Sequence, residues 1–127
     1  MDNKSISGWI RQARYRAKKQ NIHSDLEIQD IISILEDEHC SYCKVNKCDT
    51  LDHPFPLKDN APNVPANVVT VCKKCKDLKK NNDLVWMYAC GVVTEKTYLD
   101  LLKRLFERRG GNIVKDYVRR LSGYDGE

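Results

Sequence analysis

Apolar positions recur at helical spacing toward both ends of the chain, while the middle holds short β-branched runs broken by proline. From Ser7 to Gln20, Ile10, Ala13 and Ala17 share one side and Arg and Lys cover most of the rest, which predicts a helix with Ser7 as N-cap. Asn21-Ile22-His23 breaks it. Ser24 and Glu27 have capping-box spacing. Ile28, Ile31, Ile32 and Leu35 then mark one face of a second helix ending near Glu38. Further on, Asp83 caps a short helical piece, Leu84–Cys90, which Gly91 stops. Thr94 caps a helix carrying the stripe Tyr98, Leu101, Leu102, Leu105 and Phe106, and Gly110-Gly111 ends it. Val114, Tyr117, Val118 and Leu121 mark a last short helix. These stripes read as core.

Residues 39–76 follow other rules. Pro54, Pro56, Pro62 and Pro65 forbid helix interiors there, so the segment is loop with two strand candidates, Thr50–His53 and Val68–Val71. A helix opens around Cys72–Cys75 and runs to about Lys80. The fold class expected is α+β: a small stranded module at 39–82, a helical lead-in at 1–38 and C-terminal helices at 83–127, within a single domain.

Composition adds constraints. The chain has 127 residues, 41% hydrophobic and 31% charged, so its core is modest and a further staple is useful. No apolar run approaches the ~20 residues that span a bilayer. No apolar stretch follows Met1-Asp2-Asn3-Lys4, so the expectation is a soluble, cytoplasmic protein that is not secreted and has no membrane partner. Six cysteines in that setting read as metal ligands rather than disulfides.

Charge is unevenly spread. Residues 1–20 hold six Lys/Arg against one acid, residues 21–60 three against nine, and residues 61–82 five against one. Basic blocks attract polyanions and an acidic segment can hold cations, although solvated helix faces are the plainer outcome. For Lys103, Arg104, Arg108 and Arg109 the plainer outcome is the reading taken.

Two Cys-x-x-Cys pairs carry the strongest signal. Cys40 and Cys43 are separated from Cys72 and Cys75 by 28 residues. Each spacing lets two thiolates reach one ion from a tight turn, and four sulfurs close a tetrahedral shell with no open position, so the reading is structural Zn²⁺. Iron–sulfur ligation uses the same four thiolates and stays open. A thioredoxin-type pair needs a βαβ setting that is absent. Cys48 is a substitute candidate for Cys43, and Cys90, in an apolar run, reads as a buried small hydrophobe. His39 sits beside Cys40 either as a support to the ligands or as a polar helix end; His23 has no assigned role.

Between the pairs lie Leu51-Asp52-His53 and Pro56-Leu57, then Pro65-Ala66-Asn67-Val68-Val69 before Cys72. With the cysteine frame, Lys79 and the basic lead-in from Arg14, this pattern over residues 10–85 resembles the HNH endonuclease family in its zinc-bearing, phage-type form. The resemblance implies a ββα-metal, treble-clef-like module and hydrolysis of DNA phosphodiesters, by nicking or cutting, in a bacterial or phage-infected cell. It implies His53 as general base, a role that suits imidazole. Asp52 would hold a catalytic Mg²⁺ or Mn²⁺, although alternation along a strand points it away from His53. Asn67 would bond across the loop and fix the orientation of His53.

Lys76 departs from the pattern, since the family carries Asn or His there as a second ligand. Three readings stay open: Asp77 swings in as ligand; Lys76 itself stabilises charge on the phosphorane; or the site binds nucleic acid without cutting it. Asn60-Ala61 also replaces a common Gly-Gly. Nucleic-acid contacts are expected from Lys73, Lys74, Lys76, Lys79 and Lys80 on the fourth-cysteine helix, and from Arg11, Arg14, Arg16 and Lys18 on the first.

Overall fold

A computed structural model describes residues 1–121. It holds six helices and one two-stranded antiparallel sheet among the described residues: α1 (Asn3–Gln20), α2 (Ile28–Ile34), β1 (Thr50–Asp52), β2 (Val69–Val71), α3 (Lys73–Lys79), α4 (Leu84–Ala89), α5 (Glu95–Phe106) and α6 (Gly111–Leu121). Single 3-10 turns at Leu57–Asp59 and Pro65–Asn67 shape the connection between the strands. This is the α+β class expected.

The strands pair with Leu51 opposite Thr70 and Asp52 opposite Val69. The hairpin divides the apolar interior. On one side Leu51 and Val68 pack with Ile6, Ile10, Leu26, Ile31 and Ile34 from the lead-in. On the other, Phe55, Val69 and Val71 pack with Leu84, Met87, Leu101, Leu105 and Val114. The hairpin is thus buried on both faces and held from both ends of the chain.

Several local details differ from the expected ones. α1 starts at Asn3, because Asp2 accepts the Ser5 N–H at 2.7 Å and out-competes Ser7 as a cap. The reciprocal cap of α2 is Glu27 with Asp30, while Ser24 accepts a bond from Asn63 at 3.1 Å instead. α2 stops at Ile34, and its buried residues are Ile31 and Ile34, leaving Ile28 46% and Ile32 43% exposed. Cys90 is exposed rather than buried, standing as the C-cap just past the end of α4. Asn60 adopts φ +68, a left-handed conformation that Asn tolerates.

Three arginines read as surface cations tie elements together. Arg109 clasps Asp30 through bonds of 2.7 and 2.8 Å and also reaches Asp25. Arg108 donates to the Val68 carbonyl, and Arg104 meets Asp37 at 3.4 Å. These bonds tie the α5 C-terminal region to Val68, just before β2, and to the lead-in.

Gly110 and Gly111 join α5 to α6. Gly110 has φ +84, and a Cβ there would stand 2.7 Å from the Val64 side chain. A Cβ on Gly111 would collide with the Phe106 carbonyl oxygen, whereas Gly91, at φ +76, has open space around it. Gly91→Ala should therefore cost only the left-handed penalty of roughly 1–2 kcal/mol. Gly111→Ala should lower the thermal midpoint further; equal shifts would contradict this packing.

Candidate functional site

The segment before β1 folds into a tight turn that carries the first cysteine pair. Cys40 N–H bonds to the Asn46 carbonyl at 2.8 Å, Lys44 takes φ +66, and Ser41 N–H bonds to the Thr70 carbonyl at 2.8 Å. Thr70 Oγ1 donates to the His39 carbonyl at 2.8 Å, so His39 contributes its backbone while its ring stays exposed. This seats the turn against β2. Cys72 caps α3 and Cys75 lies one turn in, so the second pair comes from a strand end and a helix start.

The sulfurs of Cys40, Cys43, Cys72 and Cys75 all lie within 4.8 Å of one another. Tetrahedral coordination with ~2.3 Å metal–sulfur bonds sets sulfurs about 3.8 Å apart, so small side-chain adjustments close the shell. N–H groups already face these atoms: Tyr42 N–H on Cys40 Sγ, Asn46 N–H on Cys43 Sγ, and the Asn46 side chain and Cys75 N–H on Cys72 Sγ. Burial pushes the Cys72 thiol up, but these hydrogen bonds outweigh it and bring its pKa down to about 7. Burial pushes the Cys40 and Cys75 thiols up. Four cysteines so clustered can hold a thiophilic metal ion such as zinc. Cys48 lies outside the cluster, its thiol donating to the Thr50 carbonyl at 3.1 Å.

Next to this cluster is a pocket of about 190 Å³. Asp52 and His53 both line it, although strand alternation separates them, because β1 ends at Asp52 and His53 lies beyond the pleat. Trp9 and Arg16 enter from α1, Lys58 from the loop, and Lys76, Lys79, Lys80 and Asn81 from α3 and its end.

His53 is 6% exposed and its ring stacks on Trp9 with centroids 4.9 Å apart. Its Nε2 lies 2.9 Å from Asn63 Oδ1. The Asn63 amide nitrogen donates to Ser24 Oγ, so its oxygen accepts from Nε2–H. The proton therefore sits on Nε2, and Nδ1 keeps its lone pair. Nδ1 has no hydrogen-bond partner among the described residues and is not sealed from solvent. Burial pushes the pKa of His53 down to about 4 against the opposing effect of the Asn63 bond.

Asn67 bonds across the loop as expected, to Phe55 N–H at 3.0 Å, the Phe55 carbonyl at 2.8 Å and the Pro62 carbonyl at 2.9 Å. The Asn67 side chain makes no bond to His53; the residue that holds the imidazole is Asn63. Asp52 Oδ2 accepts the Tyr42 hydroxyl at 2.8 Å and meets Lys79 Nζ at 3.1 Å. Burial raises the Tyr42 pKa well above its ordinary value, so the phenol stays protonated and donates. Lys79 is 1% exposed. It is a partner of Asp52 rather than a free phosphate contact. Lys76 donates to the Leu51 carbonyl at 2.8 Å and so ties α3 to β1.

The donors here do not suit Mg²⁺ or Mn²⁺. Such hard cations want carboxylates and waters. The pocket offers one carboxylate, one of its oxygens already taken by an ammonium and a phenol, with only His53 Nδ1 and the neutral Asn81 beside it. Against it stand Arg16, Lys58, Lys76, Lys79 and Lys80. Asp77 adds nothing: it lies outside the pocket lining and pairs with Lys73 at 3.3 Å on the exposed side of α3.

Of the expected nucleic-acid contacts, Arg16, Lys76, Lys79 and Lys80 line the pocket, whereas Arg11, Arg14, Lys18, Lys73 and Lys74 do not. Arg14 instead donates to the Leu26 carbonyl at 2.8 Å. Trp9, Tyr42, Lys58 and Asn63 went unmarked in the sequence. Tyr42, inside a Cys-x-x-Cys turn, was the one whose position gave a signal. No helix among the described residues is long and apolar enough to cross a membrane.

Comparison with protein-family models, with curated proteins and with solved structures finds no match for this chain. The fold and site together define a helix-rich α+β protein in which a four-cysteine cluster adjoins a cationic pocket.

Elemental analysis of the purified protein should find one thiol-bound metal ion per chain. Cys72→Ser should lose it and lower the thermal midpoint, whereas Cys48→Ser and Cys90→Ser should keep it. Retention of full metal content in Cys72→Ser would contradict the ligand set.

Proposed function

We propose that this chain hydrolyses DNA phosphodiester bonds as an HNH-type endonuclease, with a structural zinc ion held by Cys40, Cys43, Cys72 and Cys75 in a treble-clef-like module. The supporting observation is the juxtaposition in one pocket of a neutral imidazole with a free lone pair and the cationic side chains Arg16, Lys76 and Lys80. The cations suit a phosphodiester, and Nδ1 suits the abstraction of a proton from an attacking water. Asn63 fixes the tautomer that leaves Nδ1 available, and Trp9 keeps the ring in place by stacking.

A second reading, nucleic-acid binding without cleavage, is favoured by one specific contact. The Lys79–Asp52 ion pair consumes the carboxylate that a divalent cation would need. Breaking such a buried pair by removing one partner typically costs about 3–5 kcal/mol, so it is not readily surrendered to an incoming ion.

A plasmid-nicking assay separates the two. Wild type should nick, and His53→Ala should lose about 10²–10⁴-fold with metal content and DNA affinity retained. Salt-dependent DNA binding without nicking under any condition would establish the second reading.

The pH profile follows from the low His53 pKa. The base is needed neutral, so the rate should hold as pH falls through 6.5 and drop only toward about 4. An acid limb centred near 6.5 would contradict the buried ring. Between those values the unfolded chain binds the His53 proton and the folded chain does not. This residue therefore contributes declining stability as pH falls through that window. Metal content measured at each pH separates loss of the base from loss of the ion.

A further inference from the structure

We infer that Lys76 takes the place of a divalent cation in this pocket, so that phosphodiester cleavage, on the reading proposed above, runs without Mg²⁺ or Mn²⁺. The disagreement between the donor set and such an ion carries the inference. Asp52 is the pocket's single carboxylate, and Lys79 Nζ and the Tyr42 hydroxyl already share its Oδ2. A cation entering this pocket would be repelled by Lys76, Lys80 and Arg16, which line it with Lys79. The positive charge a metal would bring is already built into the protein.

Lys76 is placed to use that charge. Its ammonium is fixed by donation to the Leu51 carbonyl at 2.8 Å, on the strand that leads directly to Asp52 and His53. It lines the same pocket as His53. An ammonium has three N–H donors, and one is committed to Leu51, which leaves two for oxygens of a bound phosphodiester. Lys79, by contrast, is spent on Asp52. The pair therefore divides the work: Lys79 neutralises the carboxylate that would repel the substrate, and Lys76 faces the phosphate.

The step balances with water as the only co-reactant. A water oxygen forms a bond to phosphorus as its proton passes to His53 Nδ1. The bond from phosphorus to the leaving oxygen breaks, and that oxygen takes a proton from solvent. The hydroxide so formed is neutralised by the proton on His53. Throughout, Lys76 holds the charge that builds on the non-bridging oxygens by two fixed N–H bonds, as preorganised donors do in other acyl and phosphoryl transfers.

The test uses the full chain with its cysteine-bound metal verified by elemental analysis in each sample. Nicking of supercoiled DNA is measured in EDTA, at a concentration that leaves that metal in place, and again with added Mg²⁺ or Mn²⁺. The expected result is rates within about twofold of each other. Lys76→Asn should lose about 10²–10³-fold in kcat, the usual cost of removing one preorganised donor, with smaller change in KM. Lys76→Arg should recover part of the loss, which a purely structural role would not give. Mn²⁺ should leave the His53 ring resonances unbroadened. Nicking that requires Mg²⁺ or Mn²⁺, or faster nicking by Lys76→Asn, would overturn the inference while leaving hydrolysis intact. No nicking in any condition would overturn both.

Discussion

Everything in this protein is organised by the meeting of two cysteine turns at one end of a hairpin only three residues deep per strand. Two such strands cannot hold together alone. Here the first cysteine turn is bonded to Thr70 of β2, and the second opens α3 from the end of the same strand. A metal shared by the four sulfurs would convert binding energy into folding energy and fix the hairpin in register. Register matters because a slip of one residue would exchange the faces that Leu51 and Asp52 present.

From that clamp the site follows by short links. Tyr42 sits inside the first cysteine pair and its hydroxyl reaches Asp52. Asp52 in turn holds Lys79, which belongs to the helix begun by the second pair. The carboxylate is thus locked from both sides of the cysteine cluster. His53 escapes this lock because β1 has ended, and a different set of groups holds it: Asn63 from the loop and Trp9 from α1. The lead-in helix is therefore part of the pocket, and not merely a cover for the hairpin.

Much of this was legible in the sequence because it rested on spacing. The cysteine pairs, the two strands, the caps Asp83 and Thr94 and the glycine break before α6 all obey local rules, and the structure places them where those rules put them. What was not legible depends on partners distant in sequence. Asn63 and His53 are ten residues apart, but Asn63 is held in turn by Ser24, 39 residues away. Nothing near Asn63 announces that role, and Asn67, with the better motif position, took up loop bonds instead. Lys79 read as one of five equivalent lysines; only burial beside Asp52 sets it apart. Ser24 had the spacing of a cap, but tertiary contact with Asn63 claimed its hydroxyl.

The central claim is that a scissile phosphate sits between the free nitrogen of His53 and the ammonium of Lys76. A crystal structure with a DNA oligonucleotide carrying a cleavage-resistant phosphorothioate tests it most directly. The account expects one phosphorus in the pocket, with a non-bridging oxygen or sulfur in contact with Lys76 Nζ and a water between phosphorus and His53 Nδ1. DNA bound on another face, with this pocket vacant, would contradict it.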